Sequence, residues 1–378
     1  MSAQLGSSPY ASSNFLGSKP LFQEYISDIV AVSAQPISGI EHLVGEKSAV
    51  SHGEASEVFL SVLLRSQGKR SAALRDALLC LSAQTDQNFE VLLLVHDASD
   101  EGSAMITSTL ERYSDEFRAK VRVLPVSGGS RSRPLNVGLA EARGQYFAAF
   151  DDDDLLFAHW VEEFHAASRR APGRVLRSVA AIQDVSMERW ASGEQGFRSG
   201  SWPMAEYSTT FKPLEHLLVN HSPFMTVAFP LYLFRVYGMC FDEQLDVCED
   251  WDYILRSSLF TGVESIEVIT AIYRRWTGAE TSYTRHNGKA WEASERRVVD
   301  KLNARGLLLP PGAVNDIREL IRIRDIGTNY AFLFDNGIMR KPFSNAIKIV
   351  SPFIRLSVRA RNIIRRRFGR AVQRDDTQ

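Results

Sequence analysis

Four short apolar runs, each followed by a polar segment, constrain the fold of this chain most strongly. The runs are residues 58–64, 89–95, 121–126 and 145–150. Runs of this length without a regular polar alternation are typical of strands that are buried on both faces of a parallel sheet. The sequence therefore predicts strands at these four positions.

Mainly apolar residues recur at helical spacing between the runs. They are Leu74, Ala77, Leu78 and Leu81 in the first interval, Met105, Ile106, Thr109, Leu110, Tyr113 and Phe117 in the second, and Leu135, Leu139 and Ala142 in the third. This alternation predicts an α/β fold with a parallel, doubly wound sheet. Ligands of such sheets bind beyond the carboxyl ends of the strands.

Polar residues follow three of the predicted strands, at 65–68, at 96–97 and at 151–154. The last segment consists of four consecutive aspartates, whose like charges repel one another and raise their pKa values. Mg²⁺ and Mn²⁺ favour carboxylate oxygens and bind through one or two of them plus substrate phosphates. The aspartates therefore predict a divalent-metal site, with a solvated acidic turn as the alternative for an isolated aspartate run.

The composition is that of a globular protein with a sizeable core: 378 residues, 44% hydrophobic and 24% charged. A formal net charge of −1 argues against wholesale nucleic-acid binding. Cys80, Cys240 and Cys248 lack metal-ligand spacing, and their odd number is a poor disulfide framework. The N-terminus lacks signal-peptide features, and no apolar stretch reaches the roughly 18–20 residues that span a bilayer. The sequence therefore predicts a cytoplasmic protein.

Three longer motifs accompany the aspartates. Residues 89–99, FEVLLLVHDAS, are similar to the motif FEIIVVDDGS, with His96 in place of its first aspartate. Residues 135–154 contain LNVG followed by ARGQYFAAFDDDD, which is close to RNxGxxxAxGEYIAFLDDDD. Residues 241–252, FDEQLDVCEDWD, are similar to FDExL followed by EDWD. On these motifs, the sequence from about residue 57 to about residue 280 resembles family 2 (inverting) glycosyltransferases of the GT-A fold.

The resemblance implies a GT-A fold and assigns roles to the carboxylates. The aspartate block corresponds to the DXD motif, in which Asp153 is the implied ligand of Mn²⁺ or Mg²⁺. Asp152 would lie by the ribose or the sugar of the donor, with Asp151 as the alternative. Asp250 is the implied base, and Glu249 would position the acceptor or the base. Taken alone, the two α-helical carboxylates could instead be first-turn residues that the helix dipole favours.

The resemblance also implies a nucleotide pocket at the ends of the first three strands. Asp97 would hydrogen-bond the nucleobase, with an Asx-turn role as the alternative. Arg65 and Gln67 would line the pocket. Arg133, together with Arg131, would meet the diphosphate, and a solvated loop is the alternative.

Two further positions concern the metal and the acceptor. Trp276 occupies the position where many family members have a histidine that can join the metal site, which argues against a third protein ligand. Residues 220–223 would border the acceptor, because the family often has N-x-x-P there.

The predicted organisation has five parts. They are a partly disordered extension at 1–56, a nucleotide-sugar-binding half at 57–154, an acceptor-binding and catalytic half at 155–285, a helical region at 286–340 and a basic amphipathic tail at 341–378.

The C-terminal tail has a distinctive charge pattern. Between Asn336 and Arg374 there is no acidic residue, and eleven residues are Lys or Arg. A basic amphipathic helix is typical of proteins that bind membrane surfaces. Residues 341–374 therefore predict contact with an anionic membrane surface, at the inner face of the membrane. Packing on the domain and nucleic-acid contact are the alternatives, and no nucleic-acid partner is predicted.

These observations predict a metal-dependent inverting glycosyltransferase that moves a sugar from a nucleotide-sugar donor to a hydroxyl acceptor. A UDP-sugar is the family's commonest donor, and the acceptor would be a glycan or a lipid-linked molecule of surface glycan or glycolipid biosynthesis. The alternatives are a nucleotidyltransferase and a catalytically inactive scaffold that binds sugar nucleotides at the membrane.

Overall fold

The computed structural model describes residue Phe22 and residues 57–189, 191, 195–277, 288–304, 306–309 and 312–323. The chain divides into two compact units, Met1–Pro310 and Pro311–Gln378. The predicted extension, apart from Phe22, and the predicted membrane-binding tail lie outside the described residues, so both stay predictions.

The four predicted strands are confirmed and lie side by side. They are β1 (Leu60–Ser66), β2 (Phe89–His96), β3 (Val121–Val126) and β4 (Tyr146–Asp151). All three pairings among them are parallel, in the order β3-β2-β1-β4. In this arrangement the polar residues that follow β1 and β4 emerge at the same edge of the sheet.

The sheet continues beyond β4 with mixed directions. Its remaining strands are β5 (Leu155–Leu156), β6 (Val175–Arg189), β7 (Gln195–Ser199), β8 (Met204–Ala205), β9 (Val227–Pro230) and β10 (Val263–Thr277). β9 runs antiparallel to both β4 and β6, and β10 runs parallel to β6. The α/β class is confirmed, and the architecture is a GT-A fold.

Helices connect the strands and cover the sheet. They are α1 (Ser71–Ser82), α2 (Asp100–Leu110), α3 (Asp115–Ala119), α4 (Ser132–Glu141), α5 (Trp160–Arg170), α6 (Pro213–His216), α7 (Tyr232–Arg235), α8 (Glu249–Thr261) and α9 (Gly288–Asn303). A short 3-10 helix spans Phe224–Thr226. In the second unit, residues 313–323 are helical. Among the described residues, no helix combines the length and the apolar character that crossing a bilayer requires.

The second predicted helix is two helices in the structure. The side-chain oxygen of Ser114 accepts a hydrogen bond from the backbone N–H of Phe117 at 3.3 Å, as an N-cap residue does. This cap starts α3 as a separate helix, so the apolar spacing of 105–117 does not belong to one continuous helix.

Both faces of β1, β2 and β4 are buried, which explains their mainly apolar sequence. β3 lies at the edge of the sheet and is partly exposed. In β1, Val62 and Leu64 belong to one core cluster together with Leu74 of α1. Leu63 faces the opposite way and packs in a second cluster with Leu135 of α4. Helices therefore cover the sheet on both sides, and the site residues are held at the edge of a close-packed core.

The loop after β1 depends on a glycine. Gly68 has a φ of +67°, a conformation that residues with a Cβ seldom adopt. A Cβ at this position would lie 2.8 Å from backbone atoms of Gly102 in α2. The close approach fixes the path of the chain from β1 into α1.

We expect Gly68→Ala to lower the free energy of unfolding by more than Gly238→Ala does. Gly238 has a similar φ of +64°, but nothing lies within 4 Å of its would-be Cβ. Gly238→Ala, the control, should therefore lose only the free energy that a side chain costs at positive φ, about 1–2 kcal/mol. Gly68→Ala should add an overpacking cost of about 1–3 kcal/mol. Urea unfolding of both variants measures the difference, and equal losses would contradict the close contact.

Candidate active site

Three segments that are distant in sequence converge at the edge of the sheet where β1 and β4 end. The first is the loop after β1, the second is the aspartate block 151–154, and the third is the first turn of α8. Arg65 and Asp151 are adjacent partners across β1 and β4. The aspartate block and the Glu249-Asp250 motif therefore belong to one site.

Arg65 joins these segments. Its Nε and Nη2 donate to the two carboxylate oxygens of Asp151, at 2.6 and 2.8 Å. Its Nη1 donates to Oε1 of Glu249 at 2.9 Å and to the carbonyl oxygen of Arg131 at 3.1 Å. One guanidinium thus connects β1, β4, the loop before α4 and α8. Such bidentate, charge-assisted pairs are both strong and geometrically specific.

Glu249 is buried and doubly paired. Its side chain is 4% exposed, and Nε of Arg131 lies 3.1 Å from the oxygen that Arg65 also contacts. Burial opposes its charge, but Arg131 and Arg65 outweigh the burial and lower the pKa of Glu249. A carboxylate held ionised by two arginines is a poor proton acceptor, so Glu249 is suited to positioning.

Asp250 has the opposite character. Burial and the neighbouring charge of Glu249 raise its pKa to about 6. Its Oδ2 accepts a hydrogen bond from the side-chain amide of Asn220 at 2.9 Å, and its Oδ1 accepts from the backbone N–H of Trp251 at 2.7 Å. The residue before this turn, Cys248, has a φ of +65°, which is strained for a side chain with a Cβ.

A buried hydrogen-bond chain orients the partner of Asp250. The side-chain carbonyl of Asn220 accepts from the backbone N–H of Ser222 at 2.9 Å. The hydroxyl of Ser222 accepts from Nε of Arg177 at 3.2 Å and lies 2.9 Å from Nε2 of His216. Arg177 is only 1% exposed. The predicted acceptor segment 220–223 therefore contacts the predicted base, and Arg177 and His216 are supporting residues that the motif comparison did not reveal.

The aspartate block differs in charge state from residue to residue. Burial opposes the charge of Asp151, but Arg65 outweighs it and lowers the pKa. Burial raises the pKa of Asp152 to about 7 against the charge of Arg70, and Asp153 adds to the rise. Burial and Asp153 together raise the pKa of Asp154 well above its ordinary value. Burial therefore brings Asp152 and Asp154 closer to neutrality than Asp151, which Arg65 keeps ionised.

Arg70, which the motif comparison did not single out, contacts the middle of this block. Its Nη1 lies 2.7 Å from Oδ2 of Asp153, and its Nη2 lies 3.4 Å from Oδ1 of Asp152. The indole N–H of Trp276 donates to the carbonyl oxygen of Asp153 at 3.1 Å, and the Arg70 guanidinium carbon lies 5.5 Å from the Trp276 ring centre. Trp276 thus supports the aspartate and the arginine and supplies no metal ligand.

The donor set fits a divalent ion only in part. Within the described ranges, no group of three or more His, Cys, Asp or Glu side chains is arranged to hold a metal ion by itself. Asp152 and Asp153 offer carboxylate oxygens at adjacent positions, which matches the one or two protein ligands that Mg²⁺ uses when substrate phosphates supply others. The residues fit an ion that binds together with a diphosphate.

The remaining predicted nucleotide residues lie after β1, after β2 and in α4. Asp97 accepts a hydrogen bond from the backbone N–H of Gly128 at 2.8 Å and has a φ of +48°, so it braces the loop after β3. Gln67 is half-buried in the loop after β1, and Arg133 is exposed. Of the two arginines predicted near the diphosphate, Arg131 is the one that reaches Glu249. The nucleobase and diphosphate roles stay predictions.

Comparisons with known proteins agree with the motif resemblance. Residues 68–237 match the family model described as Glycosyl transferase family 2. No curated protein matches the sequence.

The chain is also similar to solved structures of two different proteins. TarS 1-349 from S. aureus in complex with UDP-GlcNAc is 15% identical, with a TM-score of 0.47, over 64% of this chain and 70% of that chain. Another TarS 1-349 structure is 16% identical, with a TM-score of 0.41, over 57% of this chain and 60% of that chain. The mannosyltransferase PcManGT from Pyrobaculum calidifontis in complex with GDP-Man and Mn²⁺ is 11% identical, with a TM-score of 0.46, over 88% of this chain and 92% of that chain.

We expect Arg65→Ala to lower the free energy of unfolding by about 3–5 kcal/mol, because it leaves the buried carboxylates of Asp151 and Glu249 without their shared partner. Arg118→Ala, which removes an exposed pair with Asp115, should cost about 0–1 kcal/mol. Urea unfolding at neutral pH measures both. Similar losses in the two variants would show that Arg65 does not hold the site together.

Proposed function

We propose that this chain, whose residues 68–237 match Glycosyl transferase family 2, transfers a sugar from a nucleotide-sugar donor to a hydroxyl acceptor with inversion at the anomeric carbon. The observation that carries the proposal is the Arg65 bridge between Asp151 and Glu249. It supports the proposal because it joins the aspartate block, the proposed site of the diphosphate and its cation, to the helix that carries the proposed base.

The two carboxylates at the start of α8 have different proposed roles, Asp250 as the base and Glu249 as a positioning residue. Environments that push neighbouring pKa values apart are a general sign of separate acid–base roles. Asp250, with a pKa of about 6, is largely ionised at neutral pH and can still accept the proton of the attacking hydroxyl. Asn220 holds the Asp250 carboxylate, and Glu249 remains ionised and fixes the first turn of α8.

The donor side rests on Asp153 and Asp152. A divalent ion bound there, Mn²⁺ or Mg²⁺, would stabilise the charge that develops on the departing nucleoside diphosphate as a Lewis acid. Asp153 is the proposed ligand, and Ser66 holds the Asp152 carboxylate through a 2.6 Å hydrogen bond. With one base and no covalent nucleophile proposed, the reaction is a single displacement, which inverts the anomeric centre.

The substrates are proposed by class. The family resemblance makes a UDP-sugar the first donor to test, and a glycan or lipid-linked acceptor of surface glycan or glycolipid biosynthesis follows from the same resemblance. A nucleotidyltransferase is disfavoured, because it would leave the opposed pKa values of Glu249 and Asp250 without a role.

Calorimetric titration with UDP, GDP and dTDP, each with and without Mn²⁺, tests the donor class. The proposal expects at least one of them to bind, and more tightly with Mn²⁺. If none binds under either condition, the result contradicts a UDP-, GDP- or dTDP-sugar donor for the isolated protein.

We expect Asp250→Asn to abolish transfer while nucleotide binding persists. Loss of a general base costs about 10²–10⁴-fold in rate. The exposed Asp246→Asn, in the same segment, is the matched control and should keep full activity. In the wild type, kcat/KM should fall about tenfold per pH unit below pH 6, because protonation of Asp250 removes the base. Undiminished turnover in Asp250→Asn would refute the assignment.

A further inference from the structure

Arg70 holds the position in the aspartate block that a divalent ion would need. Its guanidinium lies 2.7 Å from Oδ2 of Asp153 and 3.4 Å from Oδ1 of Asp152. Arg65, which also contacts the block, donates hydrogen bonds to both Asp151 and Glu249. Arg70 is therefore the side chain that would have to move away for an ion to reach Asp153.

The surroundings of Arg70 allow it to move without disturbing the core. Its side chain is 27% exposed and rests against the Trp276 ring. On one side it borders a cavity of about 40 Å³, which Lys69 and Phe197 also line. A cavity of this size is large enough to hold water. Arg70 thus borders a cavity, whereas Arg65 is only 11% exposed.

Arg70 also lies where a diphosphate would be attracted. It immediately precedes Ser71, the first residue of the 12-residue helix α1, and the N-terminal end of a helix favours anions. The planar guanidinium matches phosphate oxygens as well as it matches carboxylates. A short rotation of the side chain would exchange one set of oxygens for the other while the charge stays in the site.

We propose that Arg70 is a built-in cation of the donor site, which occupies Asp152 and Asp153 before the donor arrives and transfers to the diphosphate when donor and divalent ion bind. The move of Arg70 to the diphosphate rests on the proposed function. The competition between Arg70 and a metal ion for the same carboxylates concerns the protein alone and does not depend on that function.

The proposal has a thermodynamic consequence. If Arg70 and Mn²⁺ compete for Asp153, a nucleoside diphosphate that attracts Arg70 must strengthen Mn²⁺ binding, and Mn²⁺ must strengthen nucleotide binding by the same factor. Without Arg70, Mn²⁺ should bind more readily alone, and the nucleotide should lose part of its metal-independent affinity.

The test is a titration of the full chain with Mn²⁺ alone, followed by electron paramagnetic resonance of the free ion. We expect Arg70→Gln to bind Mn²⁺ about tenfold or more tightly than the wild type. The ion would no longer have to displace the charge-assisted hydrogen bonds of Arg70, and breaking such bonds lowers an affinity by about that factor. Arg70→Lys keeps the charge and should stay close to the wild type. Arg75→Gln removes an exposed arginine from the same helix and should change nothing. Melting curves of each variant confirm folding.

A second arm uses UDP and GDP without metal. Arg70→Gln should weaken their binding about tenfold, and Arg75→Gln should not. Equal or weaker Mn²⁺ binding in Arg70→Gln, including no detectable binding in any variant, would overturn the competition. Unchanged metal-free nucleotide binding would overturn the transfer to the diphosphate. If neither these nucleotides nor dTDP binds any variant with or without Mn²⁺, the proposed donor class fails, while the Mn²⁺ arm still decides the competition.

Discussion

The site depends on one guanidinium. Arg65 is attached to the end of a central strand and reaches Asp151 on the adjacent strand and Glu249 at the start of α8. The aspartate block and the first turn of α8 both carry carboxylates. Without a cation between them, these carboxylates would repel one another. Because Arg65 is 11% exposed, its hydrogen bonds are little screened by water. The bridge therefore fixes the donor side relative to the acceptor side.

The same arginines tune the carboxylates to different tasks. Glu249 has two arginine partners and a lowered pKa, whereas its neighbour Asp250 has a neutral amide partner and a pKa raised to about 6. In the aspartate block, Arg65 keeps Asp151 ionised, whereas burial raises the pKa of Asp152 to about 7. A cation bound beside this block would favour the ionised form of Asp152. Electrostatic complementarity of this kind is preorganised by the fold.

Sequence patterns predicted the parts of this account that depend on local order. The four parallel strands follow from mainly apolar runs, and the carboxylates at the end of β4 follow from the position of 151–154. The break between α2 and α3 was missed because a single side chain, Ser114, restarts the helix. Arg70 was missed because its partner Asp153 is 83 residues away, and a charge pair at that separation is created by the fold. Asn220 was expected near the acceptor, but its bond to Asp250 required the structure.

The most direct test of the account is a crystal structure with Mn²⁺ and whichever of UDP, GDP or dTDP binds most tightly. The account predicts that the diphosphate lies beyond the carboxyl ends of β1 and β4, with the ion on Asp153, Arg70 turned to the phosphates and the Arg65 bridge intact. Asp250 should lie on the side of the donor site from which the acceptor hydroxyl would attack. A nucleotide bound away from this edge, or a broken contact between Arg65 and Glu249, would contradict the account.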